Sequence, residues 1–266
     1  MTVSNSLDSK LKPPLKWAGG KRWLVPSLLP IWEKHNDRRL VEPFAGGLAV
    51  TLGLSPKKVW LNDINPHVIN FYNHLKKGLD IDLKMENSES LFYKNRDAFN
   101  KLLKEDRETS KEAAEFFYYL NRSDFNGLCR FNKSGEFNVP FGKYKTINYT
   151  RDFSEYKKVF KNWKFTSMDF EKMELEPDDF VYADPPYDVP FTQYSAGGFS
   201  WEDQVRTAEW LAKHEGPVVL SNQATSRILE LYKKLGFKIK TLEAPRMINC
   251  NGNRDKALEV LATRNI

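Results

Sequence analysis

Cysteine is almost absent: Cys129 and Cys250 are the only two in 266 residues. That count excludes a disulfide framework and a four-cysteine zinc site, and makes a reducing compartment the expected one. Long hydrophobic runs are missing too. No uncharged apolar stretch reaches the roughly 18 residues that a membrane span needs. The first fourteen residues, MTVSNSLDSKLKPP, have no apolar core, so no secretory leader is expected. There is no Gly-x-x-x-x-Gly-Lys-Ser/Thr run, which excludes a triphosphate P-loop. The full Gly-x-Gly-x-x-Gly fingerprint is also lacking, which argues against a nicotinamide dinucleotide. No segment is of low complexity, and no internal repeat is visible.

What is present is a globular composition, 41% apolar and 29% charged, in a chain long enough to bury a full core. The net charge of +6 is uneven. Lys10, Lys12, Lys16, Lys21 and Arg22 stand against Asp8 alone in residues 1–24. Arg122, Arg130, Lys133, Lys143, Lys145 and Arg151 stand against Asp124 and Glu136 in residues 121–151. Each segment is +4, so the remainder is slightly acidic. Two basic patches on a near-neutral body point to a polyanionic partner; solvated loop lysines are the alternative.

Strand and helix patterns alternate at both ends of the chain. Residues 39–43 read as a strand, followed by the turn Phe44-Ala45-Gly46-Gly47 and a helical run over 48–52. Residues 58–61 form the next strand, closed by Asn62-Asp63. Asn65-Pro66 opens a helix as N-cap and first helical residue, and Gly78 suits its end. Residues 79–120 are charged and helical in pattern. Residues 121–150 change character, with Phe125, Phe131, Phe137, Phe141, Tyr144 and Tyr149 among bases and a hairpin turn expected at 133–136. Alternation resumes near residue 160, with strands at 179–183 and 217–220 and a capping box at Ser200 and Asp203 that opens a helix to His214. An amphipathic helix runs over 228–235, and a strand pair is expected at 237–243 and 257–263. The pattern is an α/β sheet domain in two segments, residues 1–68 and 151–266, with a helical, basic and aromatic insertion over 69–150.

Three constellations carry chemical potential. Glu42 to Gly47 is a strand-to-helix glycine turn, and Asp63 lies 17 residues past Gly46, a spacing suited to the ribose of an adenosine-containing cofactor. Structural glycines are an equally good reading of that turn. Asp184-Pro185-Pro186-Tyr187 follows a strand, in the place where ligands bind in this class. Two prolines there demand a fixed turn. A planar base can stack on Tyr187 while its exocyclic amine donates to Asp184 and the Pro185 carbonyl. Lys16-Trp17-Ala18-Gly19-Gly20-Lys21 joins an aromatic, two glycines and two cations, suited to a cofactor carboxylate or a nucleic-acid phosphate. An ordinary N-terminal turn is the alternative.

In one order the chain carries LKWAGGK (15–21), VEPFAGG (41–47), NDIN (62–65), FNGLCRFN (125–132), GEFNVPFGKY (135–144) and DPPY (184–187). Together they resemble the Dam-type, α-group DNA adenine-N6 methyltransferases, over roughly residues 11–263. The resemblance implies a doubly wound S-adenosylmethionine-dependent methyltransferase fold with a helical plus β-hairpin target-recognition insertion. Its cofactor contacts would come from Trp17, Ala18, Gly19 and Lys21 at the methionine end, Glu42, Phe44, Gly46 and Gly47 in the loop, and Asp63 and Ile64 at the ribose. Asp169 and Phe170 would meet the adenine, and Asp184 would lie where cofactor and target base adjoin. Leu48 departs from the pattern, where many relatives have another small residue.

The implied substrate is double-stranded DNA at a GATC-like site, with adenine flipped out of the stack and no metal required. Asp184, Pro185, Pro186 and Tyr187 would do the chemistry. Lys16, Phe125, Asn126, Leu128, Arg130, Asn132, Pro140 and Lys143 would contact DNA. Among these, Arg130 is the candidate for a bidentate guanine contact, and Phe125 and Leu128 for wedging into the opened stack. Core packing or phosphate pairing is the competing reading of each. The expected setting is the cytoplasm of a bacterium or a phage-infected cell, with a cognate restriction endonuclease as a functional counterpart. An RNA or protein-glutamine methyltransferase, or a non-catalytic binding module, is the alternative.

Overall fold

The computed structural model describes residues 11–188, 198–245 and 257–266; Cys250 lies outside them. Seven strands form one sheet in the order β3-β2-β1-β4-β5-β7-β6. They are β1 (Arg39–Glu42), β2 (Lys58–Asn62), β3 (Lys164–Thr166), β4 (Phe180–Ala183), β5 (Val218–Gln223), β6 (Lys238–Ala244) and β7 (Ala257–Arg264). The first five are mutually parallel, and β7 runs antiparallel between β5 and β6. The strand order reverses between β1 and β4, which share the register Leu40–Phe180 and Val41–Val181. Such a reversal opens a crevice at the carboxyl ends of both strands.

Period-two alternation assigns side chains to the two faces. Val41, Val181, Ala183, Val218 and Leu220 pack against Ala208 and Leu211 of α7 (Trp201–Ala212) and Ile228 and Tyr232 of α8 (Ser226–Lys234). Leu40, Phe180, Tyr182, Val219 and Leu261 pack on the opposite side, against α1 (Val25–Trp32) and α2 (Ala49–Leu54). Strands buried on both faces explain the near-continuous apolar runs read from the sequence.

Several local expectations are met. Asn65 Oδ1 accepts from the His67 N–H at 3.0 Å, Pro66 begins α3 (Pro66–Lys77), and Gly78 ends it at φ +93°. The Ser200–Asp203 capping box is formed. The 133–136 turn is closed by Asn132 N–H donating to the Glu136 carbonyl at 2.9 Å, beside a Phe131–Phe137 bridge. Three short elements carried too little periodicity to be read: α1, β3 and α6 (Ser154–Phe160).

The expected domain boundary at residue 69 falls inside α3. One apolar cluster runs from Leu61 and Phe165 of the sheet through Phe71, Tyr72 and Leu75 of α3. It continues into Phe92, Phe99 and Phe117 of α4 (Glu89–Lys104) and α5 (Lys111–Ser123). Phe71 is its hinge, stacked on Tyr118 at 5.4 Å between centroids and edge-on to Phe153 at 6.0 Å. Sheet and insertion therefore share one core and should unfold together. Phe71→Ala should cost about 3–5 kcal/mol, and urea unfolding followed by tryptophan fluorescence and by far-ultraviolet dichroism should give coincident transitions. Two separated transitions would contradict a shared core.

Candidate active site

The crevice at the carboxyl ends of β1 and β4 gathers most of the chemically interesting residues. The glycine turn after β1 is tied down on all sides. Gly46 N–H donates to Asp63 Oδ2 at 2.9 Å, and the Tyr72 hydroxyl donates to the Gly46 carbonyl at 2.5 Å. Gly46 has φ +46°, and Leu48, buried at the N-cap of α2, has φ +63°. A β-carbon at Gly46 would lie 2.6 Å from Trp17 Nε1, and one at Gly47 would lie 2.7 Å from Trp17 Cβ. The tryptophan therefore packs flush on the turn, and both glycines have a reason inside the chain itself. Asp63 has two backbone duties, since its Oδ1 accepts from Asn65 N–H at 2.9 Å. Burial raises its pKa while these two N–H groups oppose the shift.

Asp184 follows β4 with both oxygens engaged. Lys21 Nζ is 3.2 Å from Oδ2, and the Ser221 hydroxyl donates to Oδ1 at 2.8 Å. Burial pushes the Asp184 carboxyl up, while Lys21 and Ser221 pull it back toward the ionised form. Lys21 itself is 4% exposed. It donates to the Gly19 carbonyl at 2.7 Å and stands 4.4 Å from the Tyr187 ring centroid and 4.0 Å from Glu259 Oε2. The Tyr187 hydroxyl donates to that same Glu259 oxygen at 2.6 Å. The expected placement of Lys21 at the methionine end of a cofactor thus becomes a direct pairing with the Asp184 motif. Trp17 lies against the glycine turn, and Ala18 and Gly19 are exposed beside it.

On the other side of the glycine turn, Asn62 Nδ2 donates to the carbonyls of Pro43 and Met168, joining the segments after β1 and β3. Half-buried Phe44 meets buried Phe170 at 5.4 Å, and Phe170 meets Trp210 at 5.5 Å. The Asp169 carboxylate caps the following 3-10 turn through Glu171 N–H at 3.0 Å and pairs with Arg206 at 3.1 Å. The side chains of Asp169 and Phe170 are thus already engaged by the protein. Ile64 is 61% exposed next to Asp63, an uncovered apolar surface. Glu42, Asp63, Asp184 and Glu259 line the crevice, and buried Lys21 stands against the last two. An adenosine carrying a sulfonium and an ammonium fits this donor set: the acidic side chains at Asp63, Asp184 and Glu259 outnumber Lys21 and suit its positive charge, and Ile64 and Phe44 offer apolar surface to its base.

The DNA-contact candidates divide by environment. Lys16 is bound inward, with Nζ donating to the Arg122 carbonyl at 2.7 Å and lying 3.9 Å from the Tyr144 ring centroid. Burial and Arg122 push its pKa down to about 8. The Phe125 side chain is 45% exposed, while its N–H donates to the Pro140 carbonyl at 2.9 Å. Asn126 and Gly127 both have positive φ, and Asn126 N–H donates to the Tyr144 hydroxyl at 2.8 Å. Arg130 is exposed and rests on Asn138, with Nε on Oδ1 at 2.7 Å and Nη2 on the carbonyl at 3.2 Å. Pro140 and Lys143 are exposed, and Leu128 packs partly on the core. The Asn132 Oδ1 accepts from Ser134 and Glu136 N–H and its Nδ2 donates to Glu136, so the amide builds the hairpin. Burial lifts the Asp124 carboxyl to about 9, against the pull of Lys16, which makes residues 121–151 more basic near neutrality than the formal count.

Ser221, Glu259, Gln204 and Asn222 reach the site without having been read from sequence. Glu259 did carry a signal, as a lone carboxylate in the apolar run Ala-Leu-Glu-Val-Leu. Among the described residues, no group of three or more His, Cys, Asp or Glu is placed to hold a metal ion, and no helix is long and apolar enough to cross a membrane.

The sequence profile of the D12 class N6 adenine-specific DNA methyltransferases matches residues 17–248. The chain is 37% identical to the type II methyltransferase M.MjaIII of Methanocaldococcus jannaschii, covering 93% of this chain and 96% of that protein. It is 35% identical to a DNA adenine methylase of Vibrio cholerae, covering 93% and 94%. It is 34% identical to a DNA adenine methylase of Escherichia coli, covering 93% of each.

Glu42 supplies a test of the crevice that needs no substrate. Burial raises its carboxyl to about 8, with the Thr51 hydroxyl opposing and Asp184 adding to the rise. Between the ordinary value of 4.5 and about 8, the folded protein holds a proton that the unfolded chain has lost. The contribution of this group to stability is whole below the lower value. It is lost as pH rises to the upper one, at up to about 1.4 kcal/mol per pH unit. In cofactor-free protein, Glu42→Gln should flatten that part of the profile. Urea midpoints from pH 5 to 8 measure the difference, and equal slopes would disprove the buried neutral carboxyl.

Proposed function

The chain belongs to the D12 class N6 adenine-specific DNA methyltransferases, and from that premise we propose that it methylates a flipped-out adenine in a short, GATC-like duplex site. Enzyme class and methyl donor follow from membership: it is a DNA adenine-N6 methyltransferase that uses S-adenosylmethionine. The target sequence, the base flipping and the residue roles are the proposal. The observation that carries it is Asp184, held between Lys21 and Ser221 at the mouth of the crevice and followed by two prolines and an aromatic ring.

The bound cofactor supplies an electrophilic methyl group on a sulfonium sulfur. Glu42, the Phe44–Gly47 turn, Asp63 and Ile64 would hold it, with Asp169 and Phe170 beside its base. Asp184 accepts one hydrogen of the adenine amine and the Pro185 carbonyl accepts the other, which turns the nitrogen lone pair out of conjugation with the ring. Tyr187 offers its face to the base, steadied by Glu259. Lys21 and Ser221 pull Asp184 toward the anionic form in a site whose burial favours the neutral acid. Positive charge developing on nitrogen is thus met by a fixed carboxylate, at no cost in solvent reorganisation during the step. One amine hydrogen then leaves as a proton along the bond to Asp184.

The insertion supplies the reading head. Exposed Phe125, at a turn of two positive-φ residues, is placed to wedge into the stack, with Asn126 and Leu128 beside it. Arg130 has three of its five N–H donors free of Asn138 and can match guanine O6 and N7. Exposed Lys143 suits phosphate, and Lys16 reaches the same region from the N-terminal segment. In keeping with relatives named type II methyltransferases, a cognate restriction endonuclease is the proposed functional counterpart, in the cytoplasm of a bacterial or phage-infected cell.

Incubation with labelled cofactor and duplex DNA should yield N6-methyladenine, and the sites should share one short sequence. Label in RNA or protein alone would refute the substrate. Asp184→Ala should lower turnover about 100-fold or more, and near-normal turnover would remove Asp184 from the mechanism. Arg130→Ala should cost roughly 1–3 kcal/mol at the cognate site and relax discrimination at one base pair. Lys143→Ala should instead weaken all duplexes alike and lower the salt slope by about one. Methylation rates on every single-base variant of the site, with binding at two salt concentrations, separate these roles. A parallel loss across all duplexes in Arg130→Ala would make it a backbone contact.

A further inference from the structure

Behind the Asp184–Tyr187 turn, a line of buried polar groups runs inward from the second proline. Gln204 on α7, Asn222 in β5 and Tyr232 on α8 are each 1% exposed or less. Gln204 Nε2 donates to the Pro186 carbonyl at 2.7 Å, and Asn222 Nδ2 donates to Gln204 Oε1 at 2.8 Å. Asn222 Nδ2 also donates to the Tyr232 hydroxyl at 3.0 Å, and Asn222 Oδ1 accepts from Gln223 N–H at 2.8 Å. Both ends of the Gln204 amide have partners, so its orientation is determined.

Packing alone does not call for this arrangement. Apolar side chains of similar volume fill a wall between a sheet and two helices as well, and buried amides are costly unless every group is satisfied. The line ends on a carbonyl of a turn that is unusual in one respect. Pro185 and Pro186 have no N–H, so the two peptide units that lead into the prolines can be anchored only through their carbonyls. Gln204 holds the carbonyl of the next unit, immediately beyond the Pro185 carbonyl.

We propose that Gln204 is a positioning residue for methyl transfer: by holding the Pro186 carbonyl it aims the Pro185 carbonyl and Asp184 at the same amine. Asn222 and Tyr232 hold Gln204 in that orientation. The inference rests on the reading of Asp184–Tyr187 as the catalytic turn.

The test uses full-length Gln204→Leu and Gln204→Glu, with Asp184→Ala in parallel. Gln204→Leu should lower kcat by about 10- to 100-fold, the scale of a small misplacement of reacting groups. Its affinity for S-adenosylmethionine by calorimetry should stay within about twofold. In Gln204→Glu, the protonated acid can donate to the Pro186 carbonyl, whereas the carboxylate presents only lone pairs to it. The kcat of Gln204→Glu relative to the native enzyme should therefore climb as pH falls from 8 to 6. A ratio independent of pH would overturn the proposal, as would native kcat in Gln204→Leu. Parallel losses of kcat, cofactor affinity and melting temperature would also overturn it, since they would mark a merely structural role. Should Gln204→Leu fail to fold, the pH ratio of Gln204→Glu decides. Near-native turnover in Asp184→Ala overturns the catalytic turn itself. Inactive Asp184→Ala beside unaffected Gln204 variants overturns this inference alone.

Discussion

A single buried ammonium organises the crevice. Lys21, 4% exposed, bridges the N-terminal segment at Gly19, the end of β4 at Asp184 and the last strand at Glu259, and it lies against the Tyr187 ring. Removing one partner of a buried charge pair typically costs about 3–5 kcal/mol, because the other is left uncompensated. Here the stranded partner would be Asp184, whose burial already favours the neutral acid. A neutral Asp184 would be a poorer acceptor for an amine that is gaining positive charge. The interaction that closes three elements onto the crevice is thus the one that pulls its central carboxyl toward the ionised form.

Rigidity behind the site has two sources. The glycine turn is clamped by Trp17, Asp63 and Tyr72, and the proline turn by Gln204. Tyr72 belongs to α3, whose other residues enter the core shared with the insertion. The insertion is tied to the N-terminal segment as well, because Asn121 exchanges two hydrogen bonds with the Lys16 backbone at 2.9 and 2.8 Å. Lys16 and Lys21 lie five residues apart, one against the reading loop and the other against Asp184. This short stretch therefore links the Asn121–Tyr144 region to the Asp184 turn through covalent chain and packed side chains.

Local chemistry made much of the fold legible in sequence. Asn65-Pro66, Gly78 and the Ser200–Asp203 box signal their caps because capping depends on neighbours a few residues away. The apolar runs of β1, β4 and β5 signal strands because both faces are covered. β3 escaped because three residues, one of them buried, carry no period. The boundary placed at residue 69 falls inside a helix that serves two layers: α3 sends Tyr72 toward the glycine turn and Phe71 toward the insertion.

The motifs and their order by themselves determined the family resemblance and the cofactor class. Those conclusions depend on residue types at short spacing, which a sequence displays directly. Only the tertiary structure decided which groups share Asp184. Lys21, Ser221 and Glu259 lie 163, 37 and 75 residues from it, and they meet at the crevice because β4, β5 and β7 lie side by side in the sheet across long intervening segments while the N-terminal segment packs onto the same end. The same packing sets Lys21 against Asp184 as its counter-ion and uses the Asn132 amide to close the hairpin turn. A side chain's role follows from which partner its burial leaves within reach, and distance along the chain does not carry that information.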